Sequence, residues 1–114
     1  MFPRFGMKQP LISHEFERKR AMKEITMFYL EDCGYCAKAK RALEELYSEK
    51  PAYRSVPLTM IEETQQPKLV DEYDYYAVPS FFDGKEKLFE AHLFMSYEEI
   101  RDEVKKVLDY ALEN

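Results

Sequence analysis

The strongest constraint on this chain is a juxtaposition. The run Ile25-Thr26-Met27-Phe28-Tyr29-Leu30 is rich in β-formers and apolar at both odd and even positions. Such a run suits a central strand covered on both sides. Three residues later comes Cys33-Gly34-Tyr35-Cys36, and from near Gly34 the period changes to that of a helix. Cys36, Ala39, Leu43, Leu46 and Tyr47 recur at steps of three and four, which makes one buried stripe. Lys38, Lys40, Arg41, Glu44, Glu45 and Glu49 fall on the wet side. Lys40–Glu44 and Arg41–Glu45 are spaced for ion pairs. Pro51 ends the helix.

This places the first cysteine at a helix N-terminus and the second one turn further in. The chain has no other cysteine. On a helix, residues three apart share a face, so the two thiols can close a disulfide or share a metal. The helix N-terminus offers partial positive charge and unpaired N–H groups, which favour a thiolate. The thiolate is the nucleophile of thiol–disulfide exchange, so the arrangement points to a redox dithiol. A zinc site needs about four ligands. His14 and His92 stand far from the pair in sequence and in no zinc spacing, so no metal is expected. His14 reads as a solvated side chain, and His92 as an exposed structural histidine at the end of a hairpin.

The remaining pattern sets the topology. Residues 52–61 read as a second strand, and Pro57 within it demands an edge position. A strand–helix–strand unit calls for a parallel pair with a right-handed crossover. Residues 62–74 suggest a weaker helix with Leu69, Val70 and Tyr73 inward, and Pro67 either in its first turn or splitting it. Residues 77–82 form a third strand, Asp83-Gly84 a two-residue hairpin loop, and residues 85–90 a fourth strand. Ser96-Tyr97-Glu98-Glu99 has the form of a capping box. It opens a final helix marked by Tyr97, Ile100, Val104, Val107, Leu108 and Ala111. The order β-α-β-α-β-β-α gives an α/β fold, a four-stranded mixed sheet with helices on both faces. The aromatic cluster Tyr73, Tyr75, Tyr76, Phe81 and Phe82 is expected in the core, with a partner surface as the alternative.

A chain of 114 residues supports one domain with one core, and 46% hydrophobic residues exclude general disorder. A net charge of −5 disfavours nonspecific nucleic-acid binding. No apolar run approaches the ~20 residues of a membrane span, and the first residues lack the apolar core of a secretory signal. The expectation is a cytoplasmic monomer without nucleic-acid or membrane partners. In a reducing compartment a lone cysteine pair is catalytic or metal-binding rather than a staple. Charge is uneven: residues 1–21 hold five basic against two acidic side chains, or +3, leaving −8 for the remainder. With Pro3, Gly6 and Pro10 in it, this stretch reads as a poorly ordered basic extension ahead of a domain at residues 22–114. A sharper reading is a basic arm that docks on an acidic surface; a short helix over residues 13–22, capped by Ser13, fits the same stretch.

The chain resembles the glutaredoxins of the thioredoxin-fold superfamily over roughly residues 23–112. Three pieces carry the resemblance. Cys33-Gly34-Tyr35-Cys36-Ala37-Lys38-Ala39-Lys40 is similar to the pattern Cys-Pro-Tyr-Cys-x-x-Ala-Lys, Val78-Pro79 stands where that family has a cis-proline, and Asp83-Gly84-Lys85 matches its hairpin. The resemblance implies a dithiol thiol–disulfide oxidoreductase that reduces protein or glutathione-mixed disulfides. Cys33 would be the nucleophile and Cys36 the resolving thiol. Pro79 would face the pair, Val78 would offer its backbone to a substrate strand, and Tyr35 would line the groove. No bound cofactor is implied; the electron donor would be glutathione or a thioredoxin-reductase system. Two departures leave the donor open. Ala91-His92-Leu93-Phe94-Met95-Ser96 lacks the family's glycine pair, and Glu31 and Asp32 precede Cys33 where a basic residue is usual. Those carboxylates oppose a thiolate and repel anionic glutathione. Two alternatives remain: a glutaredoxin-like protein that shares an iron–sulfur cluster between two chains, and a thioredoxin-fold binding module without turnover.

Overall fold

The computed structural model describes residues 23–113, so the extension expected over residues 1–21, with His14, lies outside it. The first strand, β1 (Ile25–Tyr29), leads into α1 (Gly34–Glu49), β2 (Leu58–Glu62) and α2 (Pro67–Val70). A hairpin of β3 (Ser80–Asp83) and β4 (Glu86–Glu90) follows, and α3 (Tyr97–Glu113) closes the chain. The sheet order is β2-β1-β3-β4. β1 pairs parallel with β2, from Ile25 opposite Leu58 to Tyr29 opposite Glu62, and antiparallel with β3. This is the four-stranded mixed sheet with three helices, a thioredoxin-like α/β fold.

Met27 and Phe28 explain why β1 is central. Neighbours in a strand point to opposite faces, yet both are fully buried. Ile25, Met27 and Phe81 face a core built with α1 and α3 from Ala39, Leu43, Leu46, Ile100, Val104 and Leu108. Phe28 and Phe82 face the other side, where Ile61, Leu69, Val70, Tyr73, Tyr75 and Val78 cover them. The helix stripe is buried as expected except that Tyr47 is half-buried, and Ala42 joins it. Side chains spaced for ion pairs along α1 make contacts with other elements, although the charge of Arg41 still acts on Glu45. Lys40 lies over the Tyr29 ring and Arg41 over that of Tyr97, while Glu45 accepts from Tyr97 Oη and Arg101 Nε of α3.

Four boundaries move. Residues 52–55 are not strand: Pro51–Ser55 is a 3-10 turn. Pro51 presets φ at its start, and the buried Tyr53 anchors it by donating its hydroxyl to Asp109 Oδ1 at 2.6 Å. Pro57 therefore precedes β2 rather than interrupting it. Its carbonyl accepts from Ile25 N–H at 2.8 Å, and β2 is the edge strand that was expected. The helix expected over 62–74 shrinks to a 3-10 turn, Glu63–Gln65, and the single turn α2, with Pro67 at its first position. Beyond it, Tyr73 and Tyr75 both contact Phe28, with ring centroids at 4.7 and 5.0 Å. Residues two apart on a helix do not share a face, so that packing requires non-helical chain. The third strand starts at Ser80, not at residue 77. The hairpin loop is Gly84-Lys85, one residue later than the sequence suggested, because Asp83 pairs with Glu86. Gly84 at φ 59 takes the first loop position, as a type II′ turn requires.

Candidate active site

Cys33 closes the N-terminus of α1. Its backbone is extended, at φ −109 and ψ 121, and its carbonyl accepts the first helical bond, from Ala37 N–H at 3.0 Å. Helices start by satisfying orphan N–H groups with a side-chain acceptor. Here the acceptor is sulfur: Cys36 N–H donates to Cys33 Sγ at 3.3 Å. The two cysteines are free thiols of unequal access. Cys33 is half-buried, and Cys36 is 1% exposed. Burial pushes the Cys36 thiol up to about 12, and the neighbouring Cys33 adds to the rise. Leu30 N–H, 3.5 Å from Cys36 Sγ, and the charge of Lys40 pull the other way without overcoming it. Cys36 is therefore a protonated thiol at neutral pH.

Of the other residues singled out from sequence, Val78 reaches the pair directly. Val78 lies 45 positions away in the chain, yet its carbonyl accepts from Cys33 Sγ–H at 3.7 Å. The Val78–Pro79 peptide is cis, and Pro79 is fully buried. This loop is held from β4: Tyr76 N–H and Ala77 N–H both donate to Glu90 Oε2 at 2.6 Å, and Ala91 N–H donates to Pro79 O at 3.0 Å. Burial pushes the Glu90 carboxyl up, but the Lys87 ammonium and the same two N–H groups together outweigh it and hold the carboxyl below its ordinary range. Tyr35, between the cysteines, accepts from Phe94 N–H on its hydroxyl at 2.7 Å, and Lys38 lies over its ring. His92 is exposed, with Nδ1 at 3.0 Å from Leu93 O. Glu31 and Asp32 are exposed in the turn before Cys33.

Sequence reasoning missed two contributors. Glu90 reads as one more polar strand residue, and only the fold brings its carboxylate to the 76–77 backbone. Phe94 reads as an apolar residue between elements; its partner Tyr35 is 59 positions away.

A glutaredoxin family model matches residues 25–87, more than half of the chain and the part that holds both cysteines and Val78–Pro79. The chain belongs to the glutaredoxin family. Its fold also matches solved thioredoxins. The thioredoxin of Fasciola hepatica aligns with a TM-score of 0.54 at 16% identity, covering 88% of this chain and 90% of that one. The oxidised thioredoxin of Plasmodium falciparum gives 0.54 at 14%, covering 90% and 93%. A mutant thioredoxin of Halobacterium salinarum gives 0.50 at 17%, covering 86% and 85%. No curated protein matches the sequence. Glutaredoxin membership, the thioredoxin fold and two adjacent free cysteines support a thiol–disulfide oxidoreductase-like role.

Proposed function

We propose that this protein is a dithiol oxidoreductase in which Cys33 attacks a substrate disulfide and Cys36 resolves the product. The observation that carries the reading is the asymmetry of the pair: a half-buried cysteine at the helix start, and one turn deeper a cysteine with 1% exposure and a protonated thiol. In the first step Cys33 loses its proton to solvent and its sulfur attacks a disulfide R–S–S–R′. A Cys33–S–S–R bond forms, and R′S⁻ leaves and takes up a proton. Negative charge on the attacking sulfur is met by Cys36 N–H and by the N-terminal end of α1. In the second step Cys36 gives up its proton and attacks Cys33 Sγ. The intramolecular disulfide forms, and RS⁻ leaves and is protonated. Two electrons and two protons pass from the protein to the substrate, and two thiol equivalents from a donor restore the dithiol.

Tyr35, Val78 and Pro79 form the wall beside the attacking sulfur. The substrates on this reading are protein or glutathione-mixed disulfides, with glutathione or a thioredoxin-reductase system as donor and the cytoplasm as the compartment. The domain at residues 22–114 would act as a monomer, with residues 1–21 as a basic extension.

Replacing each cysteine tests the roles. Cys33→Ser should abolish disulfide reduction. Cys36→Ser should keep the first step and accumulate one substrate molecule per protein as a mixed disulfide, seen by intact mass. Equal residual turnover in both variants would refute the assignment.

A further inference from the structure

Four large apolar side chains are exposed among the described residues: Met60 at 39%, Leu93 at 71%, Phe94 at 91% and Tyr76 at 93%. The three most exposed belong to two loops that border the cysteines. Tyr76 lies two residues before Val78, whose carbonyl meets Cys33. Leu93 and Phe94 lie in the loop after β4, and Phe94 N–H is bound by the hydroxyl of Tyr35, the residue between the cysteines. The two loops are tied together by Glu90, which receives both Tyr76 and Ala77 N–H, and by the bond from Ala91 N–H to Pro79 O.

Phe94 is also held where its residue type is disfavoured. Its φ is 71, in the left-handed region that glycine or asparagine occupies at lower cost. A bulky apolar residue thus combines near-complete exposure with an unfavourable backbone conformation, fixed there by a hydrogen bond from within the Cys33–Cys36 motif. Folding alone gains nothing from it, because so little of the side chain is buried.

We propose that Leu93, Phe94 and Tyr76 form a docking surface for the polypeptide on either side of a target disulfide, and that the partner carries apolar, non-acidic residues beside its half-cystine. This rests on the exchange chemistry proposed above and names the substrate class for that site. Charge selects this occupant over an anionic one. Glu31 and Asp32 are exposed immediately before Cys33, and neither takes part in an ion pair among the described residues. A ligand whose own carboxylates lie beside its sulfur is repelled by these two exposed carboxylates, against the single ammonium of Lys38 over the Tyr35 ring, whereas an apolar flank meets Phe94 and Leu93 and removes their surface from water. Tyr35 acts here as a positioning residue through its hydroxyl.

The test is single-turnover reduction of three symmetric peptide disulfides by the pre-reduced protein, followed by chromatography of the peptide thiols. The peptides carry leucine and phenylalanine, two glycines, or two glutamates beside the cysteine. The wild-type rate constant should be at least about tenfold higher for the apolar than for the glycine-flanked peptide, the equivalent of one partly buried apolar side chain, and lowest for the acidic one. In the double variant Leu93→Asn/Phe94→Asn the apolar-to-glycine ratio should fall to near one; asparagine tolerates the left-handed backbone. Phe94→Tyr should retain the ratio, and Tyr35→Phe should lower it. A wild-type ratio near one, a ratio unaffected by the double variant, or a double variant whose main effect is to dissociate a dimer in sedimentation would each overturn the proposal. Reduction of none of the three peptides would instead overturn the exchange chemistry, and the docking proposal with it.

Discussion

At residue 34 the chain uses its most permissive amino acid where the backbone asks for no special freedom. Gly34 is the first residue of α1, a Cβ there would meet nothing within 4 Å, and among the described residues the only glycine at positive φ is Gly84. Cys33 before it, at φ −109 and ψ 121, already occupies the extended region that a following proline imposes. The first helical position lacks an intrahelical partner for its N–H in any case. Gly34→Pro should therefore stabilise the fold by roughly 0.4–1 kcal/mol through the unfolded chain. The check is a higher urea midpoint at unchanged slope. Cys36 supplies a prediction about pH. Its thiol rises from the usual 9.0 to about 12 in the folded protein, chiefly through burial. Because the folded value is the higher one, the unfolded chain loses the proton first. The stabilisation is complete below about pH 9 and is lost as pH climbs toward about 12. An unperturbed tyrosine titrates at ~10, inside that window, so the useful quantity is a difference. Under reducing conditions, unfolding stability of the wild type should fall more steeply across that window than that of Cys36→Ala.

At the scale of elements, the helices that carry the site begin with side-chain caps. Ser96 N–H donates to Glu99 Oε1 at 2.8 Å, and Glu99 N–H donates to Ser96 Oγ at 3.1 Å, the reciprocal pair that the sequence announced. Ser96→Ala should cost about 1 kcal/mol, read by chemical denaturation. Elements with strong local signals were legible: β1 from its apolar run, α1 from its stripe and terminating proline, α3 from its cap. The segments that were misread are those where tertiary packing overrides local pattern. Residues 52–55 have strand-like composition, but the Tyr53–Asp109 bond and Pro51 hold them in a 3-10 turn. Leu69, Val70 and Tyr73 have helical spacing, but Tyr73 and Tyr75 both turn onto Phe28. Neither partner is visible in a local window. The spacing of Arg41 and Glu45 was legible, and the Arg41 charge does act on Glu45, but the hydrogen bonds of Glu45 run across the helix interface to Tyr97 and Arg101.

Over the whole molecule, the candidate site lies where three separate stretches meet: the start of α1, the loop at 76–79, and the loop at 91–95. Their meeting is a consequence of strand order. β1 and β3 are neighbours, so the chain leaving β1 toward Cys33 and the chain entering β3 through Pro79 lie side by side. β4, next to β3, delivers the third stretch on the same end of the sheet. The cysteines could be read from spacing because both belong to one helix turn. Val78 and Pro79 were accessible only through resemblance, and the Tyr35–Phe94 contact was not accessible at all, since nothing local links positions 59 apart. The proposed exchange chemistry requires unequal access to the two cysteines in the folded, reduced protein. Brief alkylation with iodoacetamide at neutral pH, quenched over time and mapped by mass spectrometry of the peptides, measures that inequality directly. Cys33 should be modified at least about tenfold faster than Cys36; equal rates, or modification of Cys36 first, would contradict the account.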